Sequence, residues 1–310
     1  MKMNNIDILK NLEVPTGKID VVLDTDTCNE IDDQYAVAYM LRSDDKLNTK
    51  AIYAAPFFNI HSTSPEDGME RSYEEVLKIV SLCGRDDLKP NIFKGSRNYL
   101  PDEKTPVDSP AANDLAKRAM EYTKEAPLYV VAIGAITNIA SALLINPDIA
   151  ERIVIVWLGG HAAHFNHPVN EFNMVQDIAA ARVIFGCGAP VVQLPCCGVV
   201  SAFTVSKPEL EYWLKDKNPL ADYLARNTIN EVEGRPNYTE RVWTRVIWDV
   251  TAVAWLLNDN DRFMSSTIEH AIIPEYDKEY AHSSTRHFMR YVRFIKRDTL
   301  MGDLFAKLLK

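Results

Sequence analysis

The chain has 310 residues, 47% hydrophobic and 25% charged, ordinary values for a folded protein and enough length for one large core or two smaller ones. Its formal net charge of -9 argues against nucleic acid as the main partner and provides no basic arm for a membrane surface, so a substrate anion would need a local positive site. No signal-like apolar segment opens the sequence and no run approaches transmembrane length; a cytoplasmic protein that engages neither nucleic acid nor membrane is expected.

In chain order, a mixed polar lead-in with a short helix precedes Pro15 and Gly17, and Ile19 to Leu23 reads as a buried strand. This strand runs into DTDTCNEIDD, where Asp24, Asp26, Glu30, Asp32 and Asp33 crowd a short polar turn before a helix that starts around Asp32. Clustered carboxylates repel one another unless a cation sits among them, and hard ions such as Ca²⁺ or Mg²⁺ take oxygen ligands. A solvated acidic loop is the competing interpretation. A second strand near Lys50 to Ala55 leads to a helix capped by Ser64, with Pro65 in its first turn and Asp67 at capping-box spacing, running to Cys83. A short strand at Asn91 to Phe93 precedes KGSRNYLPDEKTPVDSP, long enough to serve as a binding loop or lid. Ser109 and Pro110 start a helix through about Lys124.

Strands at Leu128 to Ile133 and Ile153 to Leu158 flank a helix from Thr137 to Leu144, and the second strand ends at Gly159 and Gly160. The polar loop HAAHFNHPVNEFNMVQD follows, then a helix at Ala179 to Phe185 and a strand at Val191 to Leu194. Ser206 to Asn230 reads as amphipathic helix broken at Asn218 and Pro219, and Val246 to Leu257 as an apolar helix. Thr267 to Ile273 and Arg290 to Ile295 are late strands, and Asp298 to Leu309 is a closing helix. Strand, Gly-containing turn and helix in alternation predict an α/β fold with an open, mainly parallel sheet and flanking helices. With no internal repeat or linker, residues 1–310 form a single domain in this reading.

The five cysteines make no disulfide framework in a chain this long, and Cys196 and Cys197 read as buried thiols. Cys28 lies in the acidic turn, which disfavours a thiolate. Among the seven histidines, His161, His164 and His167 have a spacing that suggests zinc, but the loop lacks a rigid frame and the oxygen cluster favours a hard ion. His164, His167 or His282 could reach a leaving group, with Tyr280, Arg286 and His287 as candidates for a pocket rim.

The motifs DTDTCNEIDD, VVAIGAITNIASAL, GGHAAHFNHPVNEFNMVQD and IWDVTAVAWLL, in this order along nearly the whole chain, resemble the inosine-uridine nucleoside hydrolase family. The resemblance implies an open α/β sheet, a bound Ca²⁺ and hydrolysis of the N-glycosidic bond of ribonucleosides to ribose and free base. It implies Asp26, Asp33, the Thr137 carbonyl and Asp249 as calcium ligands, Asp24 as a supporting carboxylate and Asp26 as general base. Asp32 and Asn173 would contact ribose hydroxyls, Glu171 the outer hydroxyl region, and Asn59 and Asn166 the rest of the polar wall. Three departures stand out. TCNEI lengthens the turn between the aspartates by two residues, leaving Glu30 as an extra ligand or rim group; the loop before EFN is about one residue shorter than usual, which touches Asn166; and Trp248 stands where better-known members place histidine. An indole stacks and donates one hydrogen bond but is no general acid, so Trp248 is expected in the base-facing wall, with packing against Trp243 or Trp255 as the alternative. A nucleoside or other ribosyl compound is the expected partner, a homodimer or homotetramer the expected assembly, and a non-catalytic calcium-dependent ribose or nucleoside sensor the alternative function.

Overall fold

In the computed structural model, which describes residues 3–165, 168–236 and 238–310, apolar strands of period two build a sheet covered on both faces. The strands are β1 Ile19–Thr25, β2 Leu47–Ala54, β3 Ile92–Lys94, β4 Leu128–Ala132, β5 Ile153–Leu158, β6 Val191–Leu194, β7 Thr204–Ser206, β8 Thr244–Val246, β9 Met264–His270, β10 Ile273–Pro274, β11 Tyr280–Ala281 and β12 Phe288–Ile295. The helices are α1 Asn5–Asn11, α2 Asp32–Leu41, α3 Pro65–Leu82, α4 Pro110–Arg118, α5 Thr137–Ile145, α6 Phe172–Gln176, α7 Ile178–Gly186, α8 Lys207–Trp213, α9 Pro219–Glu233, α10 Val250–Trp255 and α11 Arg297–Leu308.

Eight strands form the main sheet in the order β3-β2-β1-β4-β5-β6-β12-β9. All neighbours are parallel except the β12–β9 pair. Successive residues of β1 go to opposite faces: Val21 and Leu23 join one apolar cluster and Val22 the other, as side-chain alternation in a doubly covered sheet requires. The sheet grows one way from β1 through β2 and the other way from β4, so the chain reverses direction between β1 and β4. That crevice at the carboxyl ends of the strands is where open α/β sheets bind ligands, and the residues leaving β1 and β4 meet there through the Ile133 N–H donating to the Asp24 carbonyl at 2.9 Å.

Local sequence explains most element starts. Ser64 and Ser109 accept from the backbone N–H of Asp67 and Ala112, with Pro at the start of each helix. Some expectations need correction, among them the helix from Pro110, which ends at Arg118 and not near Lys124. Val246 to Leu257 is not one helix, because Thr244–Val246 pairs antiparallel with β7 and the helix starts only at Val250. The segment from 95 to 109 packs against the end of α6: Tyr99 donates to Gln176 and the Leu100 N–H to Asp177. None of its residues lines the principal cavity. The cysteines are free, with Cys196 buried and Cys197 half-buried rather than enclosed. Among the described residues, no helix is long and apolar enough to cross a membrane.

Candidate active site

The loops leaving β1, β4, β5 and β6 enclose a cavity of about 180 Å³ lined by Asp26, Asp32, Asp33 and Asp249 on one side and His161, Cys196 and Cys197 among its other walls. Asp26 directly follows β1, and Asp32 and Asp33 open α2, where the positive end of the helix dipole favours carboxylates. Asp249 occupies the N-cap position of α10 without making a side-chain cap; its carboxylate turns instead to Asp32 and Asp33. One oxygen from each of these three residues lies within 4.8 Å of the others.

All four carboxylates are at least 96% buried, with exposures of 1% for Asp26, 2% for Asp32, 1% for Asp33 and 4% for Asp249. Neither oxygen of Asp26 has a hydrogen-bond partner among the described residues. Its carboxyl is held well above the usual aspartate range, first by burial and then by the charges of Asp33 and Asp32. Asp33 and Asp249 are raised for the same reasons, although the Thr25 hydroxyl donates to Asp33 at 2.5 Å and partly offsets the effect. Asp32 rises to about 7 through burial and Glu30, with Arg245 opposing. No Lys or Arg is among the described lining residues. Such a set is stable as anions only around a cation, and an all-oxygen donor set fits a hard divalent ion. Gly134 is required beside it: a Cβ there would lie 2.9 Å from Asp26 Oδ1.

The other sequence-predicted residues fall into distinct places. Asp24 does not line the cavity; its Oδ1 accepts from Asn138 at 2.7 Å, its other oxygen lacks a partner among the described residues, and burial raises it to about 7. Thr137 opens α5, is fully buried and gives its hydroxyl to Asp177 at 2.6 Å. Glu30 lines the cavity but is ion-paired with Arg245 at 2.5 Å, and Arg245 also reaches Glu231. Glu171 and Asn173 both line the cavity. The Glu171 carboxylate caps α6 and accepts from the N–H groups of Gly160, Asn173 and Met174, while Asn173 Nδ2 bridges the carbonyls of Ile133 and Leu158 at 2.9 and 3.0 Å. Trp248 is half-buried and lines the cavity while packing on the main core. Asn59 stands one residue back, its Nδ2 donating to Asn29 Oδ1, and Asn29 rather than Asn59 faces the cavity. Asn166 and His167 lie outside the described residues.

Arg286 and His287 are not at this rim. They line a separate cavity with Ile8, Cys187 and His270, because the chain between β11 and β12 carries them to the opposite end of β12 from its carboxyl edge. Tyr280 does approach, donating to the His161 carbonyl at 3.2 Å. His164 and His282 are exposed and outside the cavity lining. Sequence reasoning passed over Asn29, Asn170 and Phe172 as lining residues. The only signal for Asn29 was its place in the lengthened acidic turn.

Comparison with known proteins agrees with this architecture. The family model described as inosine-uridine preferring nucleoside hydrolase matches residues 21–293. A pyrimidine-specific ribonucleoside hydrolase RihA from Citrobacter koseri is 25% identical over 275 residues, covering 82% of this chain and 84% of that protein. A probable uridine nucleosidase 2 from Arabidopsis thaliana is 29% identical over 135 residues, covering 43% of this chain and 41% of that protein. Among solved structures, the plant nucleoside hydrolase PpNRh1 superposes with a TM-score of 0.73 at 18% identity, covering 95% of this chain and 99% of that one. The effector XopQ complexed with adenosine diphosphate ribose superposes with a TM-score of 0.70 at 14% identity, covering 99% of each chain; both show a shared fold. With the family model spanning most of its length and the acidic cluster at the sheet's carboxyl edge, the chain belongs to the inosine-uridine preferring nucleoside hydrolase family.

Proposed function

We propose that this protein hydrolyses the N-glycosidic bond of a ribonucleoside or related ribosyl compound, releasing ribose and a base, with Ca²⁺ held by the aspartate cluster. The observation that carries the reading is Asp26: a buried carboxylate with no partner on either oxygen among the described residues, facing a cavity it shares with Asp32, Asp33 and Asp249. Asp33, Asp249 and Asp26 would hold the ion with the Thr137 carbonyl, and the oxygen trio of Asp32, Asp33 and Asp249 brings Asp32 into the same set. When bound, the ion supplies positive charge that keeps the carboxylates ionised and makes an adjacent water easier to deprotonate.

The rest of the chemistry falls to the chain itself. Asp26 accepts the water proton as the water attacks the anomeric carbon. Asp32 and Asn173 hold ribose hydroxyls, with Glu171 toward the outer hydroxyl and Asn59 behind the wall through Asn29. Buried negative charge on the aspartates favours the oxocarbenium-like character that develops at the sugar. A volume of about 180 Å³ lies below the ~300 Å³ typical for drug-sized ligands, which suits a ribosyl group with its base directed at the half-buried Trp248. Asp24 supports the cluster through Asn138. A small-molecule substrate and a homo-oligomeric cytoplasmic protein complete the reading.

A second reading, a calcium-dependent ribose or nucleoside sensor, draws on Trp248, since an indole beside Asp249 cannot protonate a leaving base. Release of free base and reducing sugar from a panel of purine and pyrimidine nucleosides, compared with binding of the same compounds, separates the two. Release in equal amounts supports hydrolysis. Saturable binding with no release supports the sensor.

A further inference from the structure

A leaving nucleobase gathers negative charge over several acceptor atoms, and the Trp248 indole offers a single N–H and no acid. Among the described residues, the chain leaving β5 carries one polar ring into the same cavity. After Leu158 come Gly159 and Gly160, then His161, and this short loop is stapled to the turn that follows β6. Gln193 Nε2 donates to the Gly159 carbonyl at 3.0 Å. The Cys196 N–H donates to the Gly160 carbonyl at 2.8 Å and the Ala162 N–H to the Cys197 carbonyl at 2.9 Å. Tyr280 donates to the His161 carbonyl at 3.2 Å. The backbone of His161 is therefore held from both sides.

The ring is held as well. The Cys197 N–H donates to His161 Nδ1 at 3.3 Å, and Phe165 packs edge-on with centroids 5.3 Å apart. An Nδ1 that accepts a backbone N–H leaves the single proton of neutral imidazole on Nε2. No described residue receives that Nε2–H, and the side chain lines the cavity that contains the aspartates and Trp248. Burial lowers the imidazole below its usual pKa, which keeps the neutral, Nε2-protonated ring in place near neutral pH.

Resting on the hydrolase reading above, we infer that His161 is a catalytic residue whose Nε2–H hydrogen-bonds the departing base. As the C–N bond breaks, its electron pair leaves on the base nitrogen system. The water oxygen forms the new bond to the anomeric carbon and its proton goes to Asp26. The base, held by Nε2–H as it becomes anionic, then takes a proton from solvent. His161 donates a hydrogen bond and keeps its proton, because a neutral imidazole that lost it would become a far costlier anion. This role requires a fixed ring and a fixed tautomer, and the Cys197 N–H supplies both.

The test compares kcat/KM for uridine and inosine with kcat/KM for p-nitrophenyl β-D-ribofuranoside, whose leaving group is stable as an anion and needs little help. His161→Ala and His161→Asn should lose ~100-fold or more on the nucleosides, the usual cost of removing one such donor. Their loss on the nitrophenyl riboside should be smaller by a factor of at least ~10. His161→Gln, which returns an N–H near the Nε2 position, should recover most of the nucleoside activity. Equal losses on both kinds of substrate, or a loss under ~3-fold on the nucleosides, overturns the role. Wild-type turnover of the nitrophenyl riboside alone also overturns it while leaving ribosyl hydrolysis standing. Wild-type turnover of neither refutes the hydrolase reading itself.

Discussion

Removing calcium should destabilise the protein in a pH-dependent way whose size follows from the buried carboxylates. Asp32 lies 2% exposed and its carboxyl rises from an ordinary 3.8 to about 7 through burial and Glu30. At 1.36 kcal/mol per pH unit, that rise makes the ionised form about 4 kcal/mol less favourable in the metal-free folded state. Because the folded protein then binds more protons than the unfolded chain, stability is full below pH 4 and is lost as the pH climbs toward and through 7. Asp26, Asp33 and Asp249 shift in the same direction and add to the effect. For a chain of this size ~1 kcal/mol moves Tm by ~2 °C, so chelation at pH 7.5 should lower Tm by roughly 8 °C or more. Protons replace the cation at pH 5, and the gap between calcium-loaded and chelated protein should narrow there. Asp24, also raised by burial, adds its charge to those acting on Asp26 and so shifts in the same direction. Thermal scans across this range, with calcium content measured at each point, make the check. A chelated protein whose Tm matches the loaded form at pH 7.5, or a gap that does not change with pH, would refute the argument that a cation neutralises these aspartates.

Substitutions at two further positions probe the walls. Trp248→Phe keeps a stacking face and removes the indole donor; it should shift the relative catalytic efficiency for purine and pyrimidine nucleosides while calcium content stays at the wild-type level, whereas a pure stability change with an unaltered substrate profile would mark Trp248 as packing alone. Because Trp248 is only half-buried, Trp248→Ala should cost ~2 kcal/mol in denaturant unfolding, below the ~3 to 5 kcal/mol of a fully buried aromatic. Gly160 has φ +78°, and a Cβ there would lie 2.2 Å from Tyr280 Oη and 2.7 Å from Met174 Cε. Gly160→Ala should therefore lose ~1 to 3 kcal/mol and disturb the loop that carries His161, lowering nucleoside turnover; wild-type stability and rate would show that the loop is not constrained as described.

Much of the fold was legible because the strands leave strong local marks. Ile153 to Leu158 and Val191 to Leu194 are apolar runs of strand length bounded by Gly, Pro or polar residues, and their bounds in the sequence reading coincide with β5 and β6. Ser64 and Ser109 announce their helices by capping chemistry. The run from Val246 to Leu257 misled because Asp249, the N-cap residue that marks the true helix start, reads equally as a ligand, and the pairing of Val246 with Thr204 is a long-range contact. Asp24, Asp26, Asp32, Asp33 and Asp249 were identifiable as candidates from residue type and resemblance. What each does was not, since a single sequence carries no record of which oxygen goes unpartnered. The link from Asn59 through Asn29 to the cavity, and the pinning of His161 by Cys197 thirty-six positions away, are long-range contacts with no local signature. Arg286 and His287 were misplaced for the same reason: proximity in sequence to Tyr280 says nothing about which end of β12 they reach.

The central claim is that Asp26 drives water onto a ribosyl carbon. Nucleoside hydrolysis by wild type and by Asp26→Asn, measured at matched calcium content and with nucleoside binding measured on the same preparations, tests it most directly. The account predicts a loss of at least ~100-fold in base release with binding retained. Near-wild-type hydrolysis by the calcium-loaded Asn variant would contradict it.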